Sequence, residues 1–290
     1  MQIVRNITDM EGIASELKKS GKTIGFVPTM GYLHEGHTSL IDQCKKEADY
    51  VVVSIFVNPL QFGPNEDFDR YPRDEQHDTA VAQEHGVDYL FLPDVHDMYP
   101  QKTNIELTVK RRTDVLCGKN RPGHFDGVAT VLVKLFHITR ADYAYFGLKD
   151  AQQVAVVQGM VDDFNFPLSI IPVPTVRESS GLAKSSRNVY LSKSERNQAA
   201  HIFKALQQAQ HFIIDGNKNP VMIIEEVTKF IKQNTDGSIE YVELLSYPEL
   251  ERVDEINQQI IIAVAVHFEG ARLIDNIILD KNGNIPEAYF

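Results

Sequence analysis

Residues 24–57, IGFVPTMGYLHEGHTSLIDQCKKEADYVVVSIFV, contain the pattern that decides the fold. The short apolar run at 24–28 predicts a buried strand, and residues 37–47 carry apolar side chains at helical spacing. The run at 50–57 is apolar at almost every position, which is typical of a strand covered on both faces. Two such strands joined by a helix predict a right-handed crossover in a parallel sheet.

The alternation of strands and helices continues to about residue 176. Three further helix–strand pairs are predicted, with the helices at 74–85, 125–137 and 150–161 and the strands at 88–92, 142–146 and 168–173. The first of these helices is followed by Gly86, a residue type favoured just past a helix end. The pattern predicts an α/β fold with a doubly wound, Rossmann-like parallel sheet over residues 1–176.

Beyond residue 176 the pattern changes. A polar loop is followed by helical stretches at 195–214 and 220–233 and by strand-like runs near 239–245, 260–267 and 272–279. Helices grouped before strands predict a smaller α+β domain over residues 177–290. Ligands commonly bind in clefts between domains. We expect the C-terminal domain to cover such a cleft, with the polar loop at 177–191 crossing it.

The composition excludes several classes of protein. The 290 residues include 29 basic and 40 acidic side chains, and the net charge of −11 argues against a nucleic-acid-binding surface. A hydrophobic content of 43% with 24% charged residues argues against a mainly disordered chain. Cys44 and Cys117 are too few for a disulfide framework and stand in no zinc-ligand spacing. They indicate two structural thiols in a reducing compartment.

The hydropathy pattern indicates neither a membrane anchor nor an export signal. The most apolar runs, at 50–57 and 260–268, are shorter than the roughly 20 residues that a membrane helix requires. The first residues lack the apolar stretch of a signal peptide. We therefore expect a cytoplasmic protein with neither a membrane nor a nucleic acid as its partner.

The first candidate site is the segment MGYLHEGH at 30–37, between the first predicted strand and its helix. Ligands bind at the carboxyl ends of strands in such sheets, and a helix start attracts phosphate groups. Gly36 permits close approach of the backbone, while His34 and His37 can face one ligand and stabilise charge on phosphoryl oxygens. Histidines that merely bond their own helix start are the alternative. Zinc is disfavoured because the spacing is HEGH rather than HExxH.

Two further segments have the residue types of a polyphosphate site. Residues 147–150 (GLKD) follow a predicted strand, where Asp150 is a plausible N-cap and Lys149 places a mobile charge. Residues 184–187 (KSSR) set two cations around two hydroxyl groups in the polar loop, with Gly181 nearby. A solvated surface lysine and an ordinary surface loop are the respective alternatives.

Seven runs in order carry a family resemblance. They are PTMG at 28–31, HEGH at 34–37, FVNPLQF at 56–62, YPR at 71–73, RPGHF at 121–125, KDAQQ at 149–153 and SSRN at 185–188. In this order they resemble the pantothenate synthetase (pantoate–β-alanine ligase) family, which is part of the nucleotidylyl-transferring superfamily with the HxGH motif. The resemblance covers essentially the whole chain.

The resemblance implies an activity. It implies an AMP-forming carbon–nitrogen ligase that condenses (R)-pantoate with β-alanine to pantothenate, a precursor of coenzyme A. The reaction would pass through a pantoyl-adenylate, release diphosphate and then AMP, and require ATP and Mg²⁺. A cytoplasmic homodimer is also implied.

The resemblance further implies roles for individual residues. The implied ATP site consists of Met30, Gly31, Tyr32, Leu33, His34, Glu35, Gly36, His37, Gly147, Leu148, Lys149, Asp150, Val176, Lys184, Ser185, Ser186 and Arg187. The implied catalytic residues are His34, His37, Lys149 and Arg187, with His37 as the proton donor. Gln61 and Gln153 would bind pantoate, and Gln61 would also lie near β-alanine.

Two positions depart from the family pattern, which commonly has Glu at Leu148 and Met or Leu at Lys184. Leu148 is therefore expected to contribute only its backbone. The sequence does not assign magnesium ligands, and Asp78 is a weak candidate.

Elementary chemistry supports the same activity. A carboxylate becomes a good acyl donor once it is coupled to AMP, and that coupling needs positive charge placed around the α-phosphate. We expect His34, His37, Lys149 and Arg187 to supply that charge. Neutral amides such as those of Gln61 and Gln153 suit a hydroxy acid.

Two alternatives stay open. One is another HxGH nucleotidyltransferase acting on a phosphorylated substrate, which needs a further basic pocket. The other is a non-catalytic ATP-binding sensor, which would bind ATP without releasing diphosphate.

Overall fold

The computed structural model describes residues 1–64, 66 and 68–289. Six parallel strands form the first sheet: β1 (Gln2–Val4), β2 (Ile24–Thr29), β3 (Tyr50–Ile55), β4 (Tyr89–Phe91), β5 (Tyr143–Gly147) and β6 (Ser169–Val173). Their spatial order is β1-β4-β3-β2-β5-β6, and every pair is parallel. The sheet thus has the doubly wound form that the alternation predicts, with β1 as an added edge strand.

Seven helices accompany this sheet along the described chain. They are α1 (Ile7–Lys19), α2 (Glu35–Glu47), α3 (Glu75–Glu84), α4 (Val95–Met98), α5 (Leu116–Asn120), α6 (His124–Thr139) and α7 (Ala151–Asp163). Successive strand residues point to opposite faces, so Phe26 packs with α1, α6 and α7 whereas Val27 packs with α2 and α3. Both faces of the sheet are therefore covered, which explains why the central strands are almost wholly apolar.

The strand order creates a crevice between β2 and β5. From β2 the chain builds outward through β3 and β4, then returns across the sheet to place β5 on the other side of β2. Loops that leave the carboxyl ends of strands on either side of such a switch point diverge and leave a ligand-binding space. The segment at 30–37 follows β2 directly, and the segment at 147–153 begins at the end of β5.

A second, antiparallel sheet contains β7 (Ser238–Ser246), β8 (Ile260–His267) and β9 (Arg272–Leu279), in that order, preceded by α8 (Lys193–Ile214) and α9 (Pro220–Asn234). Alternate residues of β8, such as Ile262 and Val264, pack with α8 and α9. The intervening Ile261 and Ala263 belong to the apolar cluster that contains α7. The second sheet thus packs against the helix layer of the first.

The fold class agrees with the sequence prediction, and the differences are local. The pattern did not reveal β1 and α1. The helix predicted from residue 37 begins at Glu35, because His34 occupies its N-cap position. Ser192 caps α8 through a reciprocal pair of bonds with Glu195, so that helix starts at Lys193 rather than at 195.

Both cysteines are free thiols in the structure. Neither cysteine forms a disulfide, and Cys44 is buried while Cys117 is partly exposed. Burial raises the pKa of the Cys44 thiol to about 12, which suits an unreactive core residue. Within the described part of the chain no helix combines the length and apolar character needed to cross a membrane.

Candidate active site

A cavity of about 240 Å³ lies at the carboxyl ends of β2 and β5. Its lining includes most of the residues singled out in the sequence: Met30, His34, Gly36, His37, Gln61, Gly147, Lys149, Asp150, Gln153, Val176, Lys184, Ser185, Ser186 and Arg187. A larger cavity of about 750 Å³ shares Lys149, Gln153 and Arg187 and reaches the second sheet. Segments that are far apart in the sequence therefore meet at one crevice.

The turn after β2 is built around a buried carboxylate. Gly31 and Tyr32 have positive φ angles of 87° and 53°, which turn successive backbone N–H groups toward one side. Asp78 accepts hydrogen bonds from the backbone N–H of Tyr32 (2.9 Å) and of Leu33 (2.6 Å). A Cβ at Gly31 would lie 2.9 Å from an Asp78 oxygen, so glycine is required there for space as well as for φ.

The two histidines cap the start of α2 and fix each other. His34 Nδ1 accepts the Gly36 backbone N–H at 3.1 Å, and His37 Nδ1 accepts the His34 backbone N–H at 3.3 Å. Their ring centroids are 4.1 Å apart. A Cβ on Gly36 would lie 2.8 Å from the His34 ring, so glycine makes room for this arrangement. Because both Nδ1 atoms are acceptors, the neutral rings carry their proton on Nε2 and can donate it.

The histidines differ in charge from the sequence expectation. Burial, reinforced by the Lys149 ammonium, lowers the pKa of His34 to about 4. Burial and the neighbouring His34 and Lys149 lower the pKa of His37 to about 3. Both imidazoles are therefore neutral at pH 7 in this structure, in contrast to the positive charge that the sequence analysis expects of them. They offer Nε2–H donors, while the charge comes from lysine and arginine.

The turn after β5 carries Lys149. Residues Leu148–Asp150 form one turn of 3₁₀ helix directly after the strand. The Lys149 ammonium lies 3.7 Å from the Asp150 carboxylate and lines the cavity. Asp150 occupies the N-cap position of α7 as predicted, yet its side chain makes no capping hydrogen bond within the described residues. Asn276 of β9 donates to the carbonyl oxygens of Leu148 and Lys149, both at 2.9 Å.

The loop after β6 brings the KSSR segment to the cavity. The Lys184 backbone N–H donates to the Val176 carbonyl at 2.9 Å, which places these two predicted ATP-site residues side by side. The Lys184 ammonium forms an ion pair with Glu35 at 2.8 Å, so it connects this loop to the start of α2. The Arg187 guanidinium lies 5.6 Å from the ring centroid of Tyr71. Lysine at position 184 therefore has a definite structural partner.

Asn58 holds Gln61 in place. Gln61 ends a 3₁₀ turn, and its side-chain oxygen accepts a hydrogen bond of 2.9 Å from Nδ2 of the fully buried Asn58. The Tyr99 hydroxyl donates to the other end of the Asn58 amide at 3.0 Å. Gln61 lines the cavity, and Asn58 fixes the orientation of its amide group by occupying one lone pair of the amide oxygen.

Arg121 and His124 complete this side of the cavity. His124 Nδ1 lies 2.8 Å from the Gln61 carbonyl oxygen, and Arg121 donates to the same oxygen at 3.2 Å. Burial, followed by the Arg121 charge, lowers the pKa of His124 to about 4, so this ring is neutral as well. Arg121 forms an ion pair of 2.5 Å with Glu66, which neutralises much of its charge.

The adjacent glutamines Gln152 and Gln153 have different roles. Gln152 is buried, accepts from the Cys117 backbone N–H and donates to the carbonyls of Arg112 and Val115, so it has a structural role. Gln153 lines both cavities. The geometry thus agrees with the choice of Gln153 rather than Gln152 as a substrate-binding candidate.

Five of the candidate ATP-site residues do not line the smaller cavity. They are Gly31, Tyr32, Leu33, Glu35 and Leu148. Gly31 and Tyr32 shape the turn, Leu33 and Leu148 are buried in apolar clusters, and Glu35 is exposed and paired with Lys184.

Sequence reasoning gave no role to four residues that support the site, namely Asn58, Arg121, His124 and Asn276. The RPGHF run was a usable signal for Arg121 and His124. Asn276 had no such signal, because its partners lie more than 120 positions away.

Asp78, the candidate magnesium ligand of the sequence analysis, is engaged in the turn after β2. No group of three or more His, Cys, Asp or Glu side chains is arranged to hold a metal ion among the described residues. Both oxygens of Asp78 already accept backbone N–H groups, which makes Asp78 a support for the turn rather than a metal ligand. Burial raises the pKa of Asp78, and the two backbone hydrogen bonds oppose that effect.

Comparison with known proteins gives a family match over nearly the whole chain. The model of a family described as pantoate-beta-alanine ligase matches residues 2–278. A pantothenate synthetase from Geobacillus sp. (strain WCH70) is 57% identical over 280 residues, which cover 97% of this chain and 99% of the relative. One from Geobacillus thermodenitrificans (strain NG80-2) is 56% identical over 289 residues, covering 100% and 99% respectively.

Solved structures of the same family match the chain over nearly its whole length. The crystal structure of pantothenate synthetase from Thermus thermophilus matches with a TM-score of 0.90 and 39% identity over 100% of both chains. The crystal structure of pantoate-beta-alanine ligase from Francisella tularensis, complexed with beta-gamma ATP and beta-alanine, matches with a TM-score of 0.81 and 38% identity over 99% of this chain and 100% of the other.

Proposed function

Since the chain belongs to the pantoate-beta-alanine ligase family, we propose that it joins pantoate to β-alanine at the expense of ATP. The products are pantothenate, AMP and diphosphate, and the intermediate is pantoyl-adenylate. The observation that carries this proposal is the meeting of two histidines whose Nδ1 atoms are engaged by the backbone, a lysine and two amides in one crevice at the β2–β5 switch point.

The first step is attack by a pantoate carboxylate oxygen on the α-phosphorus of ATP. The bond from that phosphorus to the bridging oxygen breaks, and diphosphate leaves with the electron pair. Charge grows on the phosphoryl oxygens, where fixed donors are most effective. His34 and His37 donate from Nε2, and Lys149 contributes the positive charge near them.

The second step is attack by the β-alanine amine on the acyl carbon of the adenylate. The C–N bond forms, the C–O bond to AMP breaks, and AMP leaves. AMP is a better leaving group than the oxide that an unactivated carboxylate would have to expel. Gln61 and Gln153 line the cavity and can bind the hydroxyl groups of pantoate without introducing charge. Because Arg121 is paired with Glu66, it is not the uncompensated cation that a phosphorylated substrate would need.

Magnesium fits this site as part of its substrate. The described residues contain no group of three or more metal-ligating side chains, and among the residues that line the cavity Asp150 alone is a carboxylate. We therefore propose that Mg²⁺ enters on the triphosphate of ATP, whose oxygens are hard ligands of the kind it prefers.

The division of the chain and its assembly are part of the same proposal. A boundary at 176/177 is supported by the end of β6 at Val173 and by the start of an antiparallel pairing between Arg177 and Ala183. The second sheet then covers the nucleotide end of the crevice, where it borders the larger cavity. The family resemblance supports a cytoplasmic homodimer, and light scattering of the purified chain tests the dimer.

A coupled assay for diphosphate release, with identification of the nucleotide product, tests the proposed function. With pantoate, β-alanine and MgATP we expect equal amounts of AMP, diphosphate and pantothenate. Formation of ADP, or ATP binding with no turnover, would reject it.

A further inference from the structure

The turn that carries Lys149 takes its support from the second sheet. Neither Gly147 nor Asp150, the residues that precede the 3₁₀ turn and α7, provides a capping side chain in the described structure. The single amide nitrogen of Asn276, on β9, donates to the carbonyls of Leu148 and Lys149 at 2.9 Å each. Two neighbouring carbonyls of the turn are thus fixed by one side chain from another sheet.

The adjacent residue of β9 supports the loop after β6. Asp275 is 5% exposed and forms a two-point ion pair with Arg177, with oxygen–nitrogen distances of 2.6 and 2.9 Å. The same guanidinium lies 3.5 Å from the ring centroid of Phe203. Arg177 directly follows Val176, so Asp275 fixes the end of the segment that lines the cavity through Val176 and Lys184.

The strand that bears both residues is itself held in register. Asp275 is paired with Val264, and Asn276 with Ala263, in the antiparallel ladder with β8. The Asn276 backbone N–H also donates to the Asp275 carboxylate at 2.8 Å. The two side chains therefore have fixed positions relative to each other and to the second sheet.

We propose that Asp275 and Asn276 are positioning residues that set the nucleotide site from the second sheet. Asn276 fixes the backbone that presents Lys149, and Asp275 acts through Arg177 on the segment that contains Val176. The inference rests on the proposed function, because that function assigns Lys149 and Val176 to ATP. A misplacement of about 1 Å in such a group can cost on the order of 10²-fold in rate.

Both residues also border the larger cavity, so direct contact with the nucleotide is the rival explanation. A double-mutant cycle separates the two. If Asn276 acts through Lys149, then Asn276→Ala costs little once Lys149 is already alanine. If Asn276 touches ATP independently, the two losses multiply.

The experiment measures kcat/KM for ATP and KM for pantoate in Asn276→Ala, Lys149→Ala and the double variant. Asn284→Ala is the matched control, because the Asn284 side-chain amide bonds to Asp280, in an exposed turn after the same strand. We expect Asn276→Ala to lower kcat/KM for ATP about tenfold or more, to leave KM for pantoate unchanged and to add nothing in the Lys149→Ala background.

A second variant guards against a simple loss of folding. Asn276→Asp keeps the size of the side chain but sets a carboxylate against two carbonyl oxygens, so it should lower kcat/KM for ATP more than Asn276→Ala does. Because this repulsion also lowers stability, the kinetics are measured at a temperature at which circular dichroism shows every variant to be folded. Multiplicative losses in the cycle, or behaviour of Asn276→Ala like that of Asn284→Ala, would overturn the proposal.

The wild-type chain separates this proposal from the proposed function. Absence of pantoate-dependent turnover in the wild type would reject the function alone. The affinity of the same variants for MgATP, measured by calorimetry, would still decide the role of Asn276. A weaker affinity in Asn276→Ala than in Asn284→Ala supports positioning, and an equal affinity rejects it.

Discussion

The two turns that form the crevice are stabilised in different ways. The turn after β2 is closed by residues of the helices that flank its own sheet, with Asp78 of α3 accepting two of its N–H groups and His34 and His37 capping the start of α2. The turn after β5 makes no such cap among the described residues and depends on Asn276 of β9. The two histidines are thus positioned by residues around the first sheet, whereas the backbone that carries Lys149 is held by a residue of the second sheet.

This difference between the turn after β2 and the turn after β5 predicts different effects of substitutions in the two turns. A substitution that breaks the β2 turn removes the buried hydrogen bonds between Asp78 and the backbone of the turn. It should therefore lower both the free energy of unfolding and the catalytic rate. A defect in the support of the β5 turn should act mainly on the use of ATP. Variants in each turn therefore test the contrast directly.

The largest effect is expected for His37→Ala. It removes an Nε2–H donor from the β2 turn, and the loss of one such contact costs about 10²–10³-fold in rate. Single-turnover formation of the adenylate is the measurement, with His137→Ala as a control because His137 is exposed on α6, away from the cavity. Wild-type rates in His37→Ala would show that the β2 turn does not take part in the chemistry.

Lys149→Ala and Gln153→Ala should separate the two substrates. The Lys149 ammonium at the β5 turn stabilises negative charge on phosphate oxygens, so we expect Lys149→Ala to lower kcat/KM for ATP by on the order of 10²-fold. Gln153→Ala should mainly raise KM for pantoate, because a neutral amide can donate hydrogen bonds to, and accept them from, the hydroxyl groups of a hydroxy acid. Steady-state kinetics with each substrate varied in turn is the test. A rise in KM for ATP alone in Gln153→Ala would contradict this division.

Asp78→Asn should break the β2 turn. The amide replaces one acceptor by a donor that faces a backbone N–H, and an unsatisfied buried group costs about 1–3 kcal/mol of unfolding free energy. Urea unfolding of Asp78→Asn and of Asn276→Ala measures how much free energy of unfolding each substitution removes, and so compares the contributions of the two turns to stability. We expect the larger loss of stability in Asp78→Asn, and equal losses would remove the distinction between them.

The last comparison concerns pH. In the folded chain His34 and His37 have pKa values of about 4 and about 3, whereas the unfolded chain takes up protons near pH 6.5. Their contribution to stability is therefore complete above pH 6.5 and is lost as the pH falls through 4 toward 3. The unfolding free energy of His34→Gln should fall less steeply over this range than that of the wild type, and parallel curves would contradict a neutral buried pair.

The sequence predicted the central parallel strands from local patterns, and the family resemblance named many of the residues that line the smaller cavity. Apolar runs mark the strands, and the HEGH and KDAQQ runs stand directly at strand ends. The charge of the histidines was not predictable, since it depends on burial and on Lys149, more than 100 positions away. The supports from Asp78, Asn58 and Asn276 were missed for the same reason, because each joins segments that only the fold brings together.

Exchange of labelled diphosphate into ATP tests the central claim most directly. An adenylate mechanism divides the reaction before the amine enters, so pantoate alone should support the exchange with β-alanine absent, and omission of pantoate should abolish it. His37→Ala and Lys149→Ala should both lower the exchange rate, because both turns act on the α-phosphate. Exchange that requires β-alanine, or cleavage of ATP to ADP, would contradict an intermediate linked to AMP.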